Sequence, residues 1–197
     1  MTTVKSFLKT AVAVAALATL TVSCNKDNPQ VAPLELTNNK ADASLYVING
    51  QFWSPRNAAN WPKIYVNLSG SGAQSTSSTA THQVVFGSHV NGNISAGTGF
   101  SIRYVDKDIS AVTTADWATA TAVTTLGSES GSTVGWYEYN TTTHANDAIA
   151  PRTVIVKSNT ANVYYAVKLI EFTGVAQTGS GAGLQVKADA NISFKTL

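Results

Sequence analysis

Apolar and polar residues alternate in short runs from about residue 44 onward, and Gly, Asn, Ser and Thr separate the runs. This pattern predicts strands rather than helices. The clearest example is the segment Leu184–Phe194, in which every second residue is apolar, so that one face is buried and the other is wet. The predicted strands are Leu45–Ile48, Lys63–Leu68, His82–Ser88, Phe100–Val105, Thr119–Thr125, Val134–Tyr139, Thr153–Lys157, Val163–Phe172 and Leu184–Phe194.

The segments between these runs read as loops. Ser69–Thr81 and Asn91–Gly99 are rich in Ser, Thr or Gly, and residues 173–183 predict a long mobile loop that closes the last hairpin. Only Thr114–Ala122 predicts a short helix, which Thr113 or Thr114 would cap. Thr, Val, Tyr and Trp favour strands, and strong helix formers are scarce. We therefore expect an all-β fold: one sandwich-like domain of antiparallel sheets over residues 44–197.

The N-terminus has the features of an export signal. Lys5 and Lys9 precede an apolar run over residues 11–20, and Ser23 is a small residue directly before Cys24. This order predicts a signal peptide over residues 1–23, and the apolar run is shorter than the ~20 residues that span a bilayer. The site resembles a bacterial lipobox, which predicts that Cys24 carries lipid; an ordinary secreted protein is the alternative. We expect residues 24–43 to form a flexible tether.

Cys24 is the one cysteine of the chain, so an exported protein has no internal disulfide to make with it. Removing residues 1–23 takes two of the 13 basic residues and none of the 11 acidic ones, which leaves a net charge of zero. Nucleic-acid binding needs a basic footprint, so nucleic acid is not an expected partner. Electrostatic attachment to anionic lipid is also disfavoured, so we expect the chain to hold a membrane through the lipid on Cys24.

Catalytic motifs are missing from the sequence: it has no nucleophile elbow, no phosphate loop and no His-Glu-x-x-His. We therefore expect a non-enzyme; a hydrolase that uses Asp106, Asp108 or Glu138 beside a histidine is a distant alternative. The histidines are His82, His89 and His144. The first two are seven residues apart across one predicted strand, which puts them on opposite faces. Either of them could meet His144 across the fold, although surface positions are the simpler interpretation for all three.

Aromatic residues cluster in the second half of the chain at Trp136, Tyr137 and Tyr139, while Trp53 and Trp61 lie early. Such residues can form a stacking surface, but they are more often sheet core. Residues 135–174 resemble the HmuY-like family of Bacteroidetes lipoproteins, and the similarity extends over roughly 130 residues of the chain, most clearly from Trp136 onward. The resemblance is carried by Trp136-Tyr137, Arg152–Lys157, Tyr165–Leu169 and Ile192–Phe194, with looser similarity in Lys63–Leu68 and Val84–Gly99.

This resemblance implies an all-β lipoprotein on the cell surface of a Gram-negative bacterium, anchored in the outer membrane. Asn25-Lys26-Asp27-Asn28 is similar to the signal that sends Bacteroidetes lipoproteins to that surface. The resemblance also implies haem acquisition: haem would be taken up and passed to an outer-membrane receptor, its iron held by two axial side chains.

The sequence departs from the family pattern at two points. Thr81-His82-Gln83 stands where the family has Asp-Trp-Asp, and no Met follows Met1. Two imidazoles can ligate haem iron, so His89 and His144 are the expected axial ligands, with His82 in reserve. Tyr137 or Tyr139 would stack on the haem or hydrogen-bond to it. The alternative function is structural or adhesive: a surface protein that binds glycans or proteins and has no haem site.

Overall fold

The computed structural model describes residues 43–70, 72–87, 92–143 and 145–197. These residues form an all-β structure, as predicted, and the longest helical segment among them is the six-residue 3-10 segment Pro55–Asn60. The strands are β1 Ser44–Ile48, β2 Ile64–Val66, β3 Gln74–Ser75, β4 Val84–Gly87, β5 Asn93–Ala96, β6 Phe100–Asp106, β7 Thr121–Val123, β8 Thr125–Leu126, β9 Ser128–Glu129, β10 Tyr137–Tyr139, β11 Asn146–Ala148, β12 Arg152–Ser158, β13 Tyr164–Thr178 and β14 Gln185–Thr196.

The strands form three hydrogen-bonded sheets. The first sheet has the order β1-β14-β13-β12-β6-β7, and the second has the order β3-β2-β4-β5-β8. The third, β11-β10-β9, continues the edge of the second, because only Gly127 separates β8 from β9. All pairings are antiparallel except that of β9 with β10, which is parallel. Residues 125–129 therefore pass from the edge strand of the second sheet, β8, into the edge strand of the third, β9.

The first and second sheets pack face to face around one apolar core, which defines a sandwich. The first sheet contributes alternate residues of β12, β13 and β14 to this core, including Val154, Val156 and Ile192, each at most 1% exposed. The second contributes Val84, Phe86, Ile94 and Leu126, all fully buried. The apolar residues of the alternating pattern thus point into the core, and the residues between them lie on the outer face of the sheet.

A second apolar cluster covers the outer face of the first sheet. Ile155 of β12 and Ala166 of β13 point away from the sandwich core and pack beneath Ile109, Val112 and Ala120. The predicted short helix over residues 114–122 is a single 3-10 segment, Thr114–Ala118, and β7 begins at Thr121. The β-favouring Thr and Val residues after it pair with β6 instead of continuing a helix.

The predicted mobile loop over residues 173–183 is wrong for its first half. Strand β13 continues to Thr178 and pairs with β14 down to Gln185, so that the two strands form a long arm. Two register shifts interrupt the pairing, between Leu169 and Glu171 and between Thr173 and Ala176. Gly174 has a φ of 58°, a conformation that suits glycine in a bulge. The glycine marks a bulge within a strand here, not a loop.

Candidate functional site

The strand ends nearest to positions 89 and 144 lie on one side of the sandwich. Strand β5 runs antiparallel to both β4 and β8, so β4 and the 125–129 segment run in the same direction. Strand β10 runs parallel to β9 and therefore also in that direction. As a result, β4 at Gly87 and β10 at Tyr139 end on the same side. We call this side the hairpin end. His89 and His144 themselves lie outside the described residues.

A buried hydrogen bond connects the β4–β5 hairpin with the β10–β11 hairpin at this end. The indole Nε1 of Trp136 donates to the carbonyl oxygen of Gly92 at 2.7 Å, and Trp136 is 2% exposed. Its ring lies 5.8 Å from that of Phe86. A buried indole N–H without a partner would be costly, so this contact fixes the start of β10 against the start of β5. The sequence identifies Trp136 as part of an aromatic cluster, but it does not predict that the indole N–H bonds to the carbonyl oxygen of Gly92.

The two tyrosines predicted to contact haem occupy different environments. Tyr137 is 4% exposed and belongs to the core; its ring meets that of Phe172 edge-on at 5.1 Å. Burial raises the pKa of the Tyr137 phenol above its usual value. Tyr139 is 45% exposed at the end of β10. Of the two, Tyr139 is therefore the residue exposed to solvent, and Tyr137 is part of the buried core. Sequence reasoning missed Phe172, because the long β13 brings it to this end.

The reserve ligand, His82, lies at the other end of β4. It precedes the strand, whereas the hairpin end follows Gly87. Its Nδ1 hydrogen-bonds with the carbonyl oxygen of Ala80 at 2.7 Å, and its ring lies edge-on to Tyr65 at 4.8 Å. His82 is therefore not brought together with Tyr137 or Tyr139. The argument that placed His82 and His89 on opposite faces assumed that both lie in the strand, which His82 does not.

Arg152 connects the first sheet with the third beneath the hairpin end. Its guanidinium donates to Asp106 at 2.8 Å, to Glu129 at 2.7 Å and to the carbonyl oxygen of Gly135 at 2.5 Å. It also lies 4.8 Å from the ring centroid of Tyr104. The side chain of Arg152 is 11% exposed. Hydrogen bonding by this guanidinium lowers the pKa of Glu129. Sequence reasoning did not identify this ion pair network, since it depends on the pairing of β6 with β12.

The early tryptophans support the arm. Trp53 bridges to Val186 through two backbone hydrogen bonds of 3.1 and 2.9 Å, and its Nε1 donates to the carbonyl oxygen of Asn57 at 3.0 Å. Trp61 is 3% exposed and packs on Ala188. Both residues serve as packing, the simpler of the two interpretations of clustered aromatics.

Of the three carboxylates that the hydrolase alternative would use, two form ion pairs and one lies between two other acidic residues. Asp106 pairs with Arg152, and Asp108 pairs with Lys168. Glu138 lies between Glu129 and Asp147 on the adjacent strands. None of the three carboxylates contacts His82, the histidine that the structure describes.

Among residues 43–70, 72–87, 92–143 and 145–197, no three His, Cys, Asp or Glu side chains are grouped closely enough to hold a metal ion. In the same part of the chain, no helix is long and apolar enough to cross a bilayer. Comparison with protein-family models, curated proteins and solved structures finds no match for this chain. The fold and the candidate site thus define the class: an all-β sandwich with an aromatic hairpin end.

Proposed function

We propose that this protein is a non-catalytic binding module: an exported lipoprotein, anchored through Cys24 at the cell surface, that binds haem and passes it to an outer-membrane receptor. Haem is the cargo in this proposal. The proposal rests on the resemblance of residues 135–174 to the HmuY-like family, and the geometry of the hairpin end supports it.

The observation that supports the proposal best is the common direction of β4 and β10. Positions 89 and 144, which lie 55 residues apart in sequence, each follow one of these strands closely. The described ends of the two strands, Gly87 and Tyr139, lie on one side of the sandwich. A pair of axial ligands on one iron must come from a common side of the fold, and no alternation rule in the sequence predicts this shared strand direction.

The described residues also suit a flat, apolar cargo. A porphyrin needs apolar walls, and pockets for such ligands are lined mainly by aromatic and aliphatic side chains with few polar groups. The hairpin end offers the exposed residue Tyr139, and the buried Trp136 and Tyr137 precede it in the chain, with Tyr137 edge-on to Phe172. Tyr139 is therefore the described residue that we assign to haem contact, and Tyr137 is assigned to support.

A haemin titration with matched histidine variants tests the proposal. We expect the full-length chain to give a sharpened and shifted Soret band that saturates at one haem per chain. His89→Ala and His144→Ala should each alter the position of the band and weaken binding about tenfold or more, since each removes one metal ligand. His82→Ala is the matched control, because it removes an imidazole at the other end of β4 and should leave the spectrum unchanged.

Three outcomes would contradict parts of this proposal. A chain that leaves the Soret band at its free-haemin position does not bind haem, and the function is then wrong. A normal spectrum in both His89→Ala and His144→Ala would refute the ligand assignment. If His82→Ala alone abolished the shift, the site would lie at the opposite end of the sandwich.

A further inference from the structure

A second aromatic surface lies away from the hairpin end, on the outer face of the first sheet. Trp117 and Tyr164 lie edge-on with their ring centroids 6.2 Å apart. Arg103 lies 4.7 Å from the Trp117 ring centroid, while the Lys157 ammonium is 5.6 Å from Trp117 and 5.5 Å from Tyr164. We call these four residues the Trp117 platform. Each of them is partly exposed.

The strand register places the platform residues on one face. Lys157 of β12 lies directly opposite Tyr164 of β13 on one side and Ser101 of β6 on the other. Their neighbours Ile102 and Val156 point into the core, so Arg103 and Lys157 point outward. The platform therefore stands on the rigid centre of the sheet.

The 3-10 segment that carries Trp117 is anchored independently. The carboxylate of Asp116 accepts hydrogen bonds from the backbone N–H and the hydroxyl of Thr113, at 2.9 and 3.1 Å, and also pairs with Lys107. Arg103 donates to the carbonyl oxygen of Trp117 at 3.0 Å. These contacts hold the indole in place before any ligand arrives. Such preorganisation lowers the entropic cost of binding.

The charge of the platform is not balanced by nearby acids. Neither Arg103 nor Lys157 has a carboxylate within 4.0 Å among the described residues, whereas Lys107, Arg152, Lys168 and Lys187 each have one. Asp116, next to Trp117 in sequence, is already engaged by Lys107, and Asp106, three residues after Arg103, pairs with Arg152. Polar groups flank the cations: the hydroxyl of Ser101 donates to the side-chain oxygen of Asn159 at 2.7 Å. The surface thus combines aromatic rings, two uncompensated cations and a hydrogen-bonding rim.

We propose that the Trp117 platform binds an acidic polysaccharide. The positively polarised C–H groups of a pyranose ring are attracted to the negative face of an aromatic ring, and a sugar would meet those parts of Trp117 and Tyr164 that Arg103 and Lys157 do not cover. A sugar carboxylate would find Lys157 and Arg103 within reach of the same rings, and Ser101 and Asn159 would meet ring hydroxyls. A neutral glycan would leave the two cations unused, and an acidic peptide would leave the rings unused. This site does not depend on haem binding.

Electrophoresis of the full-length chain through native gels that contain polygalacturonate tests the inference. We expect retardation by polygalacturonate and none by dextran, which is a neutral polysaccharide. Lys157→Gln should weaken the retardation about fivefold or more, because it removes a desolvated charge from the site. Lys63→Gln is the matched control: it makes the same charge change at an exposed residue beside β2. Trp117→Leu should abolish the retardation.

Polyglutamate separates sugar recognition from simple charge attraction. A chain that polygalacturonate does not retard, even at low ionic strength, would overturn the proposal. Equal retardation by polyglutamate, or equal losses in Lys157→Gln and Lys63→Gln, would also overturn it by showing an unspecific charge effect. If Trp117→Leu proves too unstable to measure, Lys157→Gln still decides, since its side chain is outside the core.

Discussion

Loss of the Arg152 guanidinium should destabilise the domain more than loss of any other cation described here. Arg152→Met keeps the length and apolar stem of the side chain but removes its bonds to Asp106 and Glu129, its bond to Gly135 and its position over Tyr104. Asp106 and Tyr104 belong to β6, Glu129 belongs to β9, and Gly135 lies just before β10. One substitution therefore removes contacts that hold the first and third sheets together.

The magnitude follows from the exposure of each partner. Asp106 and Glu129 are 56% and 41% exposed, so water replaces the lost cation and each pair contributes only about 0.5–1 kcal/mol. Gly135 is buried, so its carbonyl oxygen without a donor costs about 1–2 kcal/mol. The contact with Tyr104 adds about 0.5 kcal/mol. We expect Arg152→Met to lower the free energy of unfolding by about 3 kcal/mol.

Urea unfolding followed by tryptophan fluorescence measures this loss. The midpoint should fall while the m-value stays constant, which is the signature of a change in stability alone. Lys187→Met is the control, since Lys187 pairs with Asp189 at 3.5 Å and should lose only about 0.5 kcal/mol. Equal losses in the two variants would refute the reasoning, because the buried carbonyl and the cross-sheet position would then have no effect.

Three further predictions concern the backbone, acid stability and the anchor. A Cβ at Gly135 would lie 2.2 Å from the backbone nitrogen of Glu129, whereas one at Gly183 would meet nothing within 4 Å. Gly135→Ala should therefore lower the midpoint of thermal unfolding sharply, and Gly183→Ala should not. Similar midpoints in the two variants would contradict this reasoning. Hydrogen bonding by Lys168 lowers the pKa of Asp108 to about 2 from its usual 3.8, so the stability from this group is present above about pH 4 and is lost as the pH falls towards 2. Asp108→Asn should flatten that part of the acid dependence of unfolding, and an unchanged slope would show that the pair is unimportant. Cys24→Ala should abolish incorporation of a clickable fatty acid during expression, and continued labelling would place the lipid elsewhere.

Much of the fold could be predicted from the alternation of residue types. The segment Leu184–Phe194 becomes most of β14, and its alternate residues Ala188, Ala190, Ile192 and Phe194 are buried. This prediction works because a strand buried on one face carries its environment in its own sequence. The direction of a strand and its neighbours in the sheet are not encoded locally in this way.

The strands that sequence reasoning missed are short and polar. The glycine-rich composition of Asn91–Gly99 predicts a loop, but Asn93–Ala96 forms β5, in which Ile94 is the one large apolar residue. It becomes a strand because Ile94 fits between Phe86 and Leu126 in the core, an environment that other parts of the chain supply. Strand β11, Asn146–Ala148, depends in the same way on its pairing with β10. Tertiary context overrides local propensity in both cases.

The candidate site could be predicted only in its composition, for the same reason. The sequence contains His89, His144 and Tyr139, but the common direction of β4 and β10 depends on the parallel pairing of Ser128 with Tyr137. Arg103 and Lys157 look like ordinary surface cations until the register puts both beside Trp117. Sequence therefore names the chemical groups, and strand pairing decides which of them act together.

The separation of the two proposed sites allows each to be tested without the other. The hairpin end is built from β4, β5, β10 and β11, while the Trp117 platform lies on the outer face of the first sheet, with the sheet itself and the sandwich core behind it. Sites that share no side chain and are separated by a packed core are expected to be additive. Lys157→Gln should thus leave the haemin titration unchanged, and His89→Ala should leave polygalacturonate retardation unchanged. A change in haemin affinity in Lys157→Gln would mean that the two surfaces form one site, and the assignment of separate ligands to them would fail.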